Sequence, residues 1–159
     1  VIVWRISNHL DLSGTGGLRA AARWHNAGAP IVYTASSPAS ALLEVMVHLE
    51  LNDLKCLPDA YQLLQIEVPE KVSIFEINVA ELTADWQENI RLTRETGDRW
   101  LRGFVSALLA VPSAIVPHTQ NYLLNPAHPD AREIKIASHG SYPFDLRLFG
   151  DGHKTENNA

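Results

Sequence analysis

PIVYTASSPASALLEVMVHLEL, from Pro30 to Leu51, holds both kinds of regular structure from which the fold is built. Its first part, Pro30–Thr34, is β-branched and aromatic and reads as a short strand. Ser37 then precedes Pro38, a serine cap followed by proline at the first helical position, where an N–H is not needed. The pattern predicts a helix from about Pro38 to Leu51. Leu42, Leu43, Val45, Met46, Val47 and Leu49 cover most of its circumference, which predicts burial nearly all round. One narrow stripe is polar: Ser40, Glu44 and His48 recur four apart and stack on one face. A carboxylate in a buried helix is costly unless it is paired or lines a cavity. Glu44 therefore marks a cavity, a solvent-facing edge or a structural pair with an arginine, and the sequence leaves all three open.

Working outward, Val1–Ile6 reads as a strand and Leu12–Gly17 as a glycine-rich loop. Tyr61–Val68 and Val72–Ile77 read as strands on either side of a turn at Pro69–Lys71. Helical pieces are expected at Val79–Leu82 and Asp98–Phe104. Ala107–Val111 and Ala114–Pro117 are short and apolar, divided by Pro112 and Ser113. Glu133–Ser138 and Phe144–Phe149 read as closing strands. Strands outnumber helices, and their alternation is too irregular for a doubly wound parallel sheet. The expected class is α+β, with a curved or split β-sheet core and flanking short helices.

The chain has 159 residues, the size of one domain, expected to run from residue 1 to about 150. Asp151–Ala159 is polar and aperiodic and reads as a frayed tail. Hydrophobic residues make up 46% and charged residues 19%, which excludes a disordered chain. Thirteen basic against eighteen acidic residues give a net charge of −5, without the basic excess that direct nucleic-acid binding calls for. The single cysteine, Cys56, forms no internal disulfide and suits a reducing cytoplasm. The longest mostly apolar run, Phe104–Pro117, is broken by Ser106, Pro112 and Ser113 and falls short of the ~20 residues that span a bilayer. No signal peptide is visible.

Several residues carry possible chemistry. Arg5 interrupts an apolar strand beside Trp4, and Arg23 stands beside Trp24 before the turn Asn26–Ala27–Gly28. A guanidinium in such a place can hold a phosphate through its fork, although surface solvation is the commoner fate of an arginine. Gly14–Thr15–Gly16–Gly17 matches neither the dinucleotide fingerprint nor the P-loop and reads as a plain turn. Seven histidines are scattered without a metal-ligand spacing, so no metal is expected. No nucleophile elbow is present, and Cys56 has no activating neighbour.

Six segments in order, WRIS (Trp4–Ser7), ARWHNAGAPIVYTASSPASALLEVMVH (Ala22–His48), GDRWL (Gly97–Leu101), VPSAIVP (Val111–Pro117), NYLLNPAHPD (Asn121–Asp130) and FDLRLF (Phe144–Phe149), resemble the RES domain family. The resemblance implies an ADP-ribosyltransferase-like fold. It also implies a bacterial cytoplasmic toxin, paired with an Xre-type helix-turn-helix antitoxin, that attacks NAD. NAD would be the substrate and no prosthetic group is implied. Carried onto this chain, the family's arginine is Arg23, with Arg5 as a second candidate, its glutamate is Glu44 and its serine is Ser113. Tyr33 matches a tyrosine facing nicotinamide. The expected catalytic set is thus Glu44, Arg23 and Ser113, and the NAD-binding set is Arg5, Arg23, Tyr33 and Ser113. His48, one turn beyond Glu44, either tunes or merely flanks the site. The chain departs from the family pattern at Ala21–Ala22, where two glycines are usual, and at His25, where asparagine is usual. NAD glycohydrolysis, phosphorolysis and protein ADP-ribosylation remain open, and a non-catalytic nucleotide- or partner-binding module is the competing class. A homodimer is compatible with helices this apolar.

Overall fold

A computed structural model describes residues 1–48, 61–142 and 144–149. Its seven strands are β1 (Ile2–Ser7), β2 (Val32–Ala35), β3 (Gln62–Glu67), β4 (Ile74–Glu76), β5 (Leu108–Pro112), β6 (Gln120–Leu124) and β7 (Lys135–Ser141). They form one sheet in the order β4-β5-β6-β2-β1-β3-β7. All neighbours are antiparallel except β4 and β5. The helices are α1 (Gly16–Arg19), α2 (Pro38–His48) and α3 (Ile90–Gly103). This is the expected α+β class.

The sheet is weakly joined in the middle. β1 aligns with β3 over six residue pairs and β2 with β6 over four, but β1 meets β2 only at Trp4 opposite Ala35. Within the one sheet the two halves thus meet at a single aligned pair.

Alternation along the strands sends side chains to two buried faces. Leu108 and Leu124 join Val3, Val32, Leu64 and Ile66 on one face. Leu109, Val111 and Leu123 join Trp24, Ile31, Trp86 and Trp100 on the other. A third cluster, Ile6, Ala35 and Ala41, lies under α2 with Trp4, Leu42 and Val45 packed against it.

Ser37 starts α2 as expected. Its Oγ accepts from the Ser40 N–H at 3.1 Å, and Pro38 follows it. The predicted last residues of this helix, 49–51, and Cys56 lie outside the described residues, as does the tail 151–159. The expected all-round burial does not hold. Ala41 is the buried residue of α2, while Leu43 and Val47 are 39% and 62% exposed. The helix packs one flank on β1 and β2 and leaves the opposite flank open.

The expected turn at Pro69–Lys71 is present, with the Val72 N–H donating to the Pro69 carbonyl at 3.0 Å, and the strand beyond it, β4, crosses to the far edge of the sheet and runs parallel to β5. Other expectations are corrected. α3 begins at Ile90, with the Asn89 side chain accepting from the Leu92 N–H, eight residues before the predicted start at Asp98. Ala114–Pro117 is a loop, because the Ser113 Oγ draws in the N–H groups of Ile115 and Val116, both at 3.2 Å. Phe144–Phe149 is not a strand. The Asp145 carboxylate accepts from the Arg147 N–H and guanidinium, and Leu146–Phe149 winds as a 3₁₀ turn. β6, to which no element was assigned from sequence, lies between β5 and β2.

Candidate active site

The site opens beside the narrow join of β1 and β2. A cleft of about 650 Å³ is bordered by Arg5, Arg23, Tyr33 and Glu44, together with His25 and Asn121. Ser113 reaches it through Glu44. The five residues expected to act together are thus brought to one place.

Glu44 projects from α2, which starts three residues after β2 ends. Its Oε1 accepts from Asn121 Nδ2 at 2.6 Å and from Ser113 Oγ at 3.2 Å. Both donors are neutral, so the arginine-pair reading gives way to the cavity reading. Among the described hydrogen bonds Oε2 accepts none. The sequence reading missed Asn121, although it stands at the head of the NYLL run. Ser113 is itself buried and directly follows β5.

The other wall is built by α3. Residues 22–26 carry only an isolated bridge between Ala22 and His25, so their shape is imposed from outside. Thr93 Oγ1 donates to the Arg23 carbonyl at 2.6 Å and Arg94 Nε to the Ala22 carbonyl at 2.8 Å. Asp98 accepts from the Asn26 N–H at 3.1 Å and from its Nδ2 at 2.8 Å. Gly97 lets the two backbones touch: a Cβ there would lie 1.7 Å from the Trp24 carbonyl oxygen. None of these α3 residues was singled out as part of the site from sequence, although Gly97 and Asp98 begin the GDRWL segment.

This wall positions the aromatic end. The Tyr33 hydroxyl accepts from the Trp24 N–H at 3.2 Å and lies 2.9 Å from His25 Nδ1. The direction of the hydrogen bond between the phenol and the imidazole follows the tautomer of the ring: the phenol donates to Nδ1 when the ring hydrogen is on Nε2 and accepts from Nδ1 otherwise. Burial pushes the Tyr33 phenol up and the His25 imidazole down, so both are neutral at pH 7. His25 is 2% exposed, and its imidazole lies against the backbone of Gly17 and Ala20.

The arginines are anchored differently. Arg23 Nη1 donates to the Gln87 carbonyl at 2.5 Å, and Arg5 Nη1 to the Asp11 carbonyl at 3.2 Å. Burial pulls Arg5 below its ordinary value, partly offset by Asp11, and a guanidinium so placed stays charged. Arg94 adds a third guanidinium at the cleft border. His48 borders the cleft and is exposed. Among the described residues no helix is long and apolar enough to cross a membrane.

Three comparisons bear on this site. Residues 2–145 match the RES domain family. The chain is 50% identical to Toxin Res of Pseudomonas putida over 149 residues, covering 94% of this chain and 100% of that protein. It is 39% identical to the Prs ADP-ribosylating toxin of a Sphingobium species over 155 residues, covering 91% and 94%. Its fold is similar to a chain of the crystal structure of the M. tuberculosis MbcT–MbcA toxin–antitoxin complex, with a TM-score of 0.73, 18% identity and coverage of 89% and 83%.

Proposed function

The chain belongs to the RES domain family, and on that premise we propose that it is the toxin of a toxin–antitoxin pair and acts by cleaving NAD at the nicotinamide–ribose bond. The observation that carries the proposal is the Glu44 carboxylate, held at one oxygen by Ser113 and Asn121, in a cleft that also presents Arg5, Arg23 and Tyr33.

Cleavage of this bond passes through an oxocarbenium-like state, as in glycoside hydrolysis. Nicotinamide is cationic when attached and leaves neutral, so no acid is needed to protonate it. A single carboxylate therefore suffices, and the Glu44 end of the cleft offers one. Glu44 Oε2 accepts a ribose hydroxyl, and the carboxylate charge stabilises the developing cation. Arg23 and Arg5 hold the pyrophosphate, since a guanidinium presents two parallel donors to phosphate oxygens. The ring of Tyr33 faces the cationic nicotinamide, whose positive charge is attracted to an aromatic face. Ser113 orients Glu44.

Water as acceptor makes the chain a glycohydrolase, and inorganic phosphate makes it a phosphorylase. Transfer of ADP-ribose to a protein is the second reading, favoured by the name of the Sphingobium relative. The partner is a cognate antitoxin of the Xre type, a reading supported in its coarser part by the toxin–antitoxin complex whose fold this chain shares. The net charge of −5 agrees with leaving DNA contact to that partner.

The test is incubation of the purified chain with NAD, followed by chromatography of nicotinamide and of the sugar-containing product, with and without added phosphate. Nicotinamide release that disappears in Glu44→Gln is the expected result. ADP-ribose as product names water as the acceptor, and its phosphorylated form names phosphate. If neither is released, labelled NAD with cell lysate separates a transferase from a chain that only binds. Unlabelled protein in that second arm sinks the catalytic reading.

A further inference from the structure

We infer that Asn121 is a positioning residue for the catalytic carboxylate, an assignment that rests on Glu44 acting as proposed above. Asn121 belongs to β6, which is paired on both sides, and it stands opposite Val111 of β5 and Ala35 of β2. Its Cα is therefore among the best-fixed points of the cleft floor. From there Nδ2 donates to Glu44 Oε1 at 2.6 Å, the shorter of the two hydrogen bonds that oxygen receives. Ser113, the other donor, has a second duty, since its Oγ also accepts from the N–H groups of Ile115 and Val116. No other hydrogen bond of the Asn121 side chain is present among the described residues.

The remaining amide atom strengthens the assignment. Asn121 Oδ1 is buried and has no partner among the described residues. A carboxylate only accepts, so the amide cannot turn over without setting two acceptors against each other. An apolar side chain of the same size would leave no buried acceptor unpaired. What this position gains from an amide is the donor to Glu44. Two donors converging on Oε1, one from a strand and one from a loop, fix the plane of the carboxylate and leave Oε2 for the ligand. Such support from a rigid element is what keeps a reacting group within its productive geometry.

The experiment compares steady-state NAD cleavage by wild type, Asn121→Ala and Asn121→Asp, with thermal melts of all three. Asn121→Ala is expected to lower kcat by about 100-fold, the size of effect that follows a misplacement of about 1 Å, while KM stays within about twofold of wild type. Asn121→Asp keeps the shape and replaces the donor by a second carboxylate. The acid limb of its kcat profile is expected to move to higher pH, because two carboxylates at hydrogen-bond distance share a proton. A purely structural role would not move that limb. Wild-type kcat in Asn121→Ala overturns the assignment, as does an unshifted limb in Asn121→Asp, and the second variant carries the test if the first fails to fold. A wild-type chain that leaves NAD intact with every acceptor offered overturns the proposed function itself, and this assignment with it.

Discussion

The two walls of the cleft are made by different means. On one, Glu44 sits on a capped helix and is held by the side chains of Asn121 in β6 and of Ser113 directly after β5. On the other, Arg23, His25 and the hydroxyl of Tyr33 depend on residues 22–26, an irregular segment fastened to α3 by four hydrogen bonds. The first wall is regular structure that brings its own backbone hydrogen bonds. The second has borrowed its shape from a neighbour. In the proposed reaction the charge that acts on a short-lived cation stands on the regular wall, whereas Arg23, which grips the pyrophosphate, stands on the wall with the borrowed shape. Damage to the first wall should therefore appear in turnover, and damage to the second in stability and in substrate affinity.

The largest effect expected is in turnover. Glu44→Gln keeps the hydrogen-bonding shape and removes the charge, and kcat should fall by about 100- to 1000-fold, as when one preorganised electrostatic partner of a transition state is removed. Binding of NAD, followed by calorimetry, should survive. Equal loss of binding and turnover would erase the distinction between the walls. On the other side, Gly97→Ala forces a Cβ onto the Trp24 carbonyl oxygen. Backbone must move, and the expected loss is about 1–3 kcal/mol of stability, read by denaturant unfolding, with weaker NAD binding. A Gly97→Ala chain as stable as wild type would mean that residues 22–26 adapt freely and are not held by α3.

The same contrast explains what the sequence disclosed. Glu44 was conspicuous because helical periodicity turns spacing into a face, and one acidic residue on an apolar helix stands out. The α+β class was legible from the short, irregularly spaced strands. Asn121 was not, because its meaning lies in a pairing between residues 77 positions apart. Thr93, Arg94 and Asp98 were not, because they act on backbone groups of a segment without periodicity. Family resemblance supplied Arg23, Ser113 and Tyr33, which the residue pattern alone left among ordinary surface or core choices. The misread burial of α2 has a simple cause: counting apolar residues around a helix does not say how many neighbours arrive to cover them, and here one flank is left open.

Thr93→Val sharpens the comparison at smaller scale. Thr93 is fully buried, and its hydroxyl donates to the Arg23 carbonyl. Replacing it with an isosteric methyl leaves that carbonyl without its donor, and the expected loss is about 1–3 kcal/mol. KM for NAD should rise with kcat little changed, since Arg23 grips substrate and does not meet the reacting atoms in the proposed scheme. A fall in kcat at constant KM would move Arg23 to the catalytic wall.

The smallest effect is expected from protons. The buried imidazole of His25 titrates below its ordinary value, chiefly through burial, with the backbone of Gly17 and Ala20 and then Asp98 opposing the shift and Arg94 adding to it. In the unfolded chain the same group titrates near about 6.5. Between those two values the unfolded state binds more protons, so stability falls as pH drops below about 6.5 and is fully present above it. Protonation would also make both ring nitrogens donors, so that Nδ1 could only give its proton to the Tyr33 hydroxyl. Unfolding free energies measured at pH 7.5 and 5.5 should therefore drop more steeply for wild type than for His25→Asn, the other histidines being common to both. Parallel slopes would show that the imidazole accepts its proton in the folded chain as readily as in water, and that the wall with the borrowed shape makes room for the charge.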